Sequence, residues 1–186
     1  MLEVRWHGRG GQGAKTAAQF LAEAAMDAGK FIQAFPEYGP ERAGAPIRAY
    51  TRIDDAPIKI HCGVTNPGIV VVVDPTLMSE EVLDGLPEDG ILVVNTSKPP
   101  EELKKELNIA TVKVATVDGT KIALDTLGLP MPNIPMLGAL LKVSPVVSLE
   151  KLKGQIRHKF LKKLGEEKTN ANIEGMERAY KETKVS

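Results

Sequence analysis

The run Gly8-Arg9-Gly10-Gly11-Gln12-Gly13 is the stretch of this chain best suited to chemistry. It follows the strand-like LEVRWH and leads into an alanine-rich helix that carries Lys15-Thr16 in its first turn. Backbone N–H groups at a helix start, together with the positive end of the helix dipole, accept a phosphate, a pyrophosphate or a carboxylate. Three readings compete. A nucleotide phosphate loop needs G-x-x-x-x-G-K-S/T. Gly8 and Gly13 meet that spacing, but position 14 is alanine. A lysine one residue late is turned by about 100° around the helix. A dinucleotide fingerprint, G-x-G-x-x-G, is met by Gly8, Gly10 and Gly13. It also asks for an acidic residue closing the second strand, where this chain has Ala34, Phe35 and Pro36, with Glu37 beyond. The third reading is a general anion- or partner-binding turn, with Arg9 adding charge and Gln12 able to donate or accept. Four glycines in six residues suit close approach by a ligand or another chain.

A second cluster lies in FPEYGPERAGAPIRAYTR, where Glu37, Glu41, Arg42, Arg48 and Arg52 crowd around a proline-set loop at 36–46. Loops that follow strand C-termini gather at one edge of an α/β sheet. The loop after strand two is therefore expected beside the glycine turn.

The elements that must position these residues follow from hydrophobic periodicity. LEVRWH (2–7), KFIQAF (30–35), IVVVVD (69–74), ILVVN (91–95) and TVKVATV (111–117) read as strands. IRAYTRI (47–53) and IKIH (58–61) read as an antiparallel hairpin across the turn DDAP. Ala14, Ala17, Ala18, Leu21, Ala24, Ala25 and Ala28 form the small-residue face of a helix that can lie close to a sheet. TLMSEEVLDGL, PPEELKKELN, GTKIALDTLG and SLEKLKGQIRHKFLKKL read as helices, LPMPNIPML as a proline-rich loop, and NANIEGMERAYKETK as a closing helix. Strand–helix alternation of this kind predicts an α/β fold: a three-layer α/β/α, Rossmann-like, mostly parallel sheet with an antiparallel hairpin. The chain is expected to be one domain, 1–186, with a helical extension from about residue 148.

Composition narrows the function. With 24 basic and 24 acidic residues and 4% aromatics, the chain offers neither a basic nucleic-acid surface nor stacking platforms. One cysteine, Cys62, permits no internal disulfide and no iron–sulfur cluster held by this chain alone. His61-Cys62 lacks further partners at metal-ligand spacing, so no metal site is expected and Cys62 reads as a small buried thiol. The start MLEVRWHG has no leader pattern. The longest apolar run, GIVVVV, is far below the ~20 residues that span a bilayer, so no membrane contact and a cytoplasmic location are expected.

WHGRGGQG, AFPEYGPERAGAPIRAYTRI, VVVVDPTL, DGILVVNT and NIPMLGALLK resemble, in order, the γ subunits of 2-oxoacid:ferredoxin oxidoreductases, pyruvate synthase in particular. The resemblance runs from Glu3 to about Val143 strongly and to Tyr180 more loosely. It implies a subunit of an oxidoreductase that turns pyruvate and coenzyme A into acetyl-CoA and CO2 and reduces ferredoxin. It also implies α, β and δ partner subunits that carry thiamine diphosphate with magnesium and the 4Fe–4S clusters, this chain binding no cofactor alone. Gly8, Arg9, Gly10, Gly11, Gln12 and Gly13 would then contact coenzyme A or a neighbouring subunit. Glu37, Glu41, Arg42 and Arg48 would shape the interface, and no residue of this chain would be catalytic. The alternative is a stand-alone Rossmann-like dinucleotide-binding reductase.

Overall fold

β1 (Leu2–Arg9) sets the architecture, because its residues alternate. Val4 and Trp6 point to one side of the strand, Glu3, Arg5 and His7 to the other. The first side is fully buried in the main core, and the second carries charge into the structure. The computed structural model describes residues 1–38 and 44–186. The other strands are β2 (Phe31–Tyr38), β3 (Pro46–Asp54), β4 (Ile69–Val72), β5 (Ile91–Asn95), β6 (Lys113–Val117) and β7 (Lys184–Val185). They form one sheet in the order β2-β3-β1-β4-β5-β6-β7. β1, β4, β5 and β6 run parallel. β3 is antiparallel to both β1 and β2, and β7 is antiparallel to β6. The helices are α1 (Ala14–Met26), α2 (Pro100–Leu107), α3 (Gly119–Leu127), α4 (Asn133–Val143) and α5 (Leu149–Glu182). The α/β expectation with a mostly parallel centre is met.

The expected hairpin is not. Residues 58–61 form no strand and are largely exposed. β3 instead pairs with β2 along Phe31↔Asp54 to Tyr38↔Ile47. β2 runs past Pro36 because it is an edge strand, where a missing N–H leaves no ladder bond unmade. Nothing apolar on IKIH is buried, so its alternation had no face to satisfy. Cys62, expected to be buried, is exposed in the same segment. TLMSEEVLDGL is not one helix but two short 3-10 turns, Pro75–Leu77 and Glu80–Leu83. α4 starts inside the segment read as a proline loop, since Pro135 falls in its first turn, where its missing N–H costs nothing. α5 joins the two C-terminal helices but breaks at Gly165, whose φ of 79° and ψ of 174° are not helical.

One face of the sheet is covered by α1, α4 and α5. α1 buries Ala14, Ala17, Ala18, Leu21, Ala24 and Ala25, and Phe20 meets Phe160 of α5 edge-on at 5.1 Å. α4 is enclosed almost all round. A Cβ on Gly138 would lie 2.1 Å from the Met176 carbonyl oxygen, so α4 and α5 cross backbone to backbone. On the other face α2 covers β4–β6 through Val70, Val72, Leu92, Val94, Leu103 and Val114.

Over β1, β3 and β2 that second face is polar. Three cross-strand rows lie in register: Glu3–Arg52–Gln33, Arg5–Tyr50–Phe35 and His7–Arg48–Glu37. The first row is closed: Arg52, 1% exposed, donates to Glu3 at 2.7 Å, Gln33 at 3.1 Å and the Gly63 carbonyl at 3.2 Å. A Glu3→Ala chain strands that buried guanidinium and is expected to lose about 3 kcal/mol. Urea melts should register this, and Glu3→Ala melting like wild type would show that the pair does not hold the face together.

Candidate functional site

The glycine turn leaves β1 at the edge where β4, β5 and β6 also end. Gly11 and Gly13 take φ of +97° and +80°, a region open to glycine at little cost. A Cβ on Gly13 would sit 2.5 Å from Asn133 Nδ2, so α1 starts directly against the first turn of α4. The turn is closed by its own side chains. Arg9 N–H donates to Gln12 Oε1 at 2.7 Å, and Gln12 Nε2 donates to Asp74 Oδ2 at 2.6 Å. Asp74 also accepts from Thr76 N at 2.9 Å and Thr76 Oγ1 at 2.7 Å, and pairs with Arg9 Nε at 3.2 Å. Burial pushes the Asp74 carboxyl up. Hydrogen bonds from Thr76 and Gln12 and the charge of Arg9 outweigh that and hold it below the usual carboxylate range. Arg9 is thus neutralised within the chain, and the helix start supplies the remaining attraction for an anion.

Gly44 and Ala45, which lead into β3, lie beside this turn. Gly10 N–H donates to the Ala45 carbonyl at 2.9 Å, Gly44 N–H to the Gly10 carbonyl at 3.3 Å, and Arg9 Nη1 to the Gly44 carbonyl at 3.2 Å. Glu41 and Arg42 lie outside the described residues. Thr16 does not join the site, because it lines a small cavity against α5 with Phe20 and Phe160. This geometry is not that of a phosphate loop.

The dinucleotide reading fails for a reason not visible in the sequence. An acid does close the second strand, since β2 reaches Tyr38 and includes Glu37. β3, however, is inserted between β1 and β2. The acid is therefore two strand spacings, about 9–10 Å, from the strand that leads into the turn. Its carboxylate accepts from the Tyr50 hydroxyl on the polar face instead. Burial and then this bond push the Tyr50 phenol up.

Glu37 and Arg48 line a pocket of about 520 Å³ on that polar face, with His7, Thr76, Met78 and Glu81. His7 is a lining residue that the sequence motifs did not single out. It is 5% exposed, and its Nε2 accepts from Arg5 Nε at 3.0 Å. Burial, then the charges of Arg5 and Arg48, push the imidazole down to about 3. Because arginine can only donate, Nε2 is the unprotonated nitrogen and Nδ1 carries the hydrogen. Among the described residues no cluster of His, Cys, Asp and Glu is arranged to hold a metal ion, and no helix is long and apolar enough to cross a membrane.

The family model described as pyruvate ferredoxin/flavodoxin oxidoreductase matches residues 3–182. The chain belongs to this family. It is 50% identical over 185 residues to "Pyruvate synthase subunit PorC" of Thermotoga maritima, covering 100% of this chain and 96% of that protein. It is 49% identical over 179 residues to "Pyruvate/ketoisovalerate oxidoreductases common subunit gamma" of Pyrococcus abyssi, covering 96% and 97%. The crystal structure of the pyruvate oxidoreductase subunit PORC from Thermotoga maritima superposes with a TM-score of 0.89 at 48% identity, covering 100% of this chain and 98% of that one. The resemblance read from GRGGQG and PERAGAP is borne out. The free-standing reductase is not supported: these relatives are oxidoreductase subunits matched end to end.

Within this pyruvate ferredoxin/flavodoxin oxidoreductase fold, the residues that sequence reasoning missed are Asp74, Thr76, Asn133, Arg5 and His7. The polar positions Glu3, Arg5 and His7 alternate in LEVRWH as clearly as the apolar ones do. That alternation could have announced a charged sheet face. Asp74 and Asn133 carried no such local signal, since only the β4 end and the α4 start bring them to the turn.

Proposed function

We propose that this chain is the γ subunit of a pyruvate:ferredoxin oxidoreductase assembled with α, β and δ subunits and working in the cytoplasm. The full reaction joins pyruvate and coenzyme A to give acetyl-CoA and CO2, with ferredoxin as electron acceptor. What supports the reading is the end-to-end correspondence with PorC and common γ subunits. Thiamine diphosphate with its magnesium, on a partner subunit, would supply carbanion stabilisation, and partner-held 4Fe–4S clusters would carry the electrons. With a single cysteine, this chain's residues do not fit a cluster of their own.

The role left to this chain is binding and shaping. Residues 1–186 act as one domain. Gly11 and Gly13 would present N–H groups at the α1 start to a coenzyme A phosphate, while Gly10, whose N–H goes to the Ala45 carbonyl, and Gln12, tied to Asp74, hold the turn in shape. The adjoining loop would meet the catalytic subunits through Glu41 and Arg42, flanked by Glu37 and Arg48.

Gly11 is the position that tests this. A Cβ there meets nothing within 4 Å, so a substituted side chain would project outward and not into the fold. In the assembled complex, Gly11→Val is expected to raise the KM for coenzyme A by about ten-fold or more, the loss of one good charge-assisted contact. The KM for pyruvate should stay unchanged. An unchanged KM for coenzyme A with normal assembly would reject the ligand contact, and loss of assembly would assign the turn to a partner subunit.

A further inference from the structure

The polar sheet face holds one buried arginine that no described carboxylate pairs with. Arg5 is 4% exposed. It donates to His7 Nε2 at 3.0 Å and to the carbonyls of Val82 at 2.9 Å and Asp84 at 2.7 Å. All three are neutral acceptors. Arg48 stands one row further along the same face, opposite His7. Among the described residues neither arginine is in an ion pair, although Arg9, Arg52 and Arg178 each are. Burial and then the charge of Arg48 push the Arg5 guanidinium down, with Tyr50 and Asp84 only partly opposing. A buried guanidinium with a second one at the rim of the same pocket is unfavourable unless an anion accompanies them.

Glu37 faces Arg48 across the β3–β2 ladder and offsets part of the charge of Arg48, while Arg5, on β1, has no such neighbour in its own row. Glu37 accepts from the Tyr50 hydroxyl. Glu81 sits exposed at the rim, on the second 3-10 turn. The row His7–Arg48–Glu37 floors the 520 Å³ pocket, and Met78 and Val82 give it apolar walls. The pocket therefore offers a guanidinium fork and a neutral N–H donor, His7 Nδ1, which no described residue accepts. The glycine turn differs, because Asp74 already occupies Arg9 there.

We propose that the pocket between β1, β3 and the 75–82 segment binds a small molecule through an anionic oxygen group, a carboxylate or a phosphate. Arg48 and His7 Nδ1–H contact the anion. Arg5 is a positioning residue: by donating to Nε2 it fixes the His7 tautomer and places a second positive charge behind it. The inference stands on this chain's own geometry and does not depend on the γ-subunit reading.

The test uses the full chain, titrated at neutral pH with inorganic phosphate and, separately, with acetate. Calorimetry follows the binding, and the imidazole nitrogens of His7 are followed by NMR. Saturable binding of phosphate alone identifies a phosphate-bearing ligand, binding of acetate alone a carboxylate-bearing one, and binding of both the shared oxyanion chemistry; each supports the proposal. Arg48→Gln, at an exposed position, should weaken binding by at least about ten-fold, and Arg48→Lys should restore part of it, since a point charge replaces the fork. His7 nitrogen shifts that saturate with the heat signal assign the binding to this pocket, whereas an anion taken up only at the glycine turn would leave them unshifted and overturn the proposal. The proposal is overturned if neither anion binds saturably, if Arg48→Gln binds like wild type, or if the His7 hydrogen is found on Nε2.

Discussion

Replacing Gly13 by alanine is expected to destabilise the protein by about 3 kcal/mol, because backbone strain and a steric clash coincide there. The backbone φ of +80° alone costs a residue with a Cβ about 1–2 kcal/mol. The added Cβ would also lie 2.5 Å from Asn133 Nδ2, 2.7 Å from its Cγ and 3.1 Å from its Cβ. Asn133 cannot simply swing aside. It is 4% exposed, in the first turn of a helix enclosed by α1, α3 and α5. For a chain of this size the loss corresponds to a drop in Tm of roughly 10 °C. The decisive measurement is a double-mutant cycle. Asn133→Ala in the Gly13→Ala background should recover the steric part and leave the strain, a coupling of about 1–2 kcal/mol. Strictly additive effects would mean that the contact between the α1 start and α4 does not constrain the turn. Gly11, with a similar φ but open surroundings, should cost only the strain.

Acid should unlock the polar face well before it protonates the carboxylates. His7 titrates at about 3 in the folded protein against its ordinary 6.5. Its folded value is the lower one, so the unfolded chain takes up a proton first. Stability is full above about pH 6.5 and is lost as pH falls from there toward 3. Between about pH 7 and about pH 5 the expected loss is about 2 kcal/mol. Burial of the imidazole explains the direction first, and the charges of Arg5 and Arg48 then repel an added proton. Asp74 releases its own contribution only below its ordinary 3.8, because its folded value is depressed. Chemical melts across this range should therefore show a histidine-dependent slope. His7→Gln, which still offers Arg5 an acceptor, should flatten it. A slope that survives His7→Gln would refute the assignment.

The amino-acid sequence by itself determined the α/β class and the mostly parallel centre of the sheet. It did so because strands buried on two faces read as unbroken Val and Ile runs and helices as 3.6-residue stripes. It also determined the glycine turn at the α1 start, the neighbouring loop and the family resemblance, since all of these are local strings. It did not determine strand order. IKIH and KFIQAF alternate equally well, and which of them pairs with β3 depends on what is buried once α1 has crossed the sheet. Inserting β3 between β1 and β2 moved Glu37 away from the glycine turn and set it beside Arg48, in one row with His7. Asp74 and Asn133 reached the turn only through the β4 end and the α4 start. Side-chain type and spacing are properties of a segment, whereas a site assembled from segments tens of residues apart depends on which hydrophobic faces pack together, and only the tertiary structure decides that.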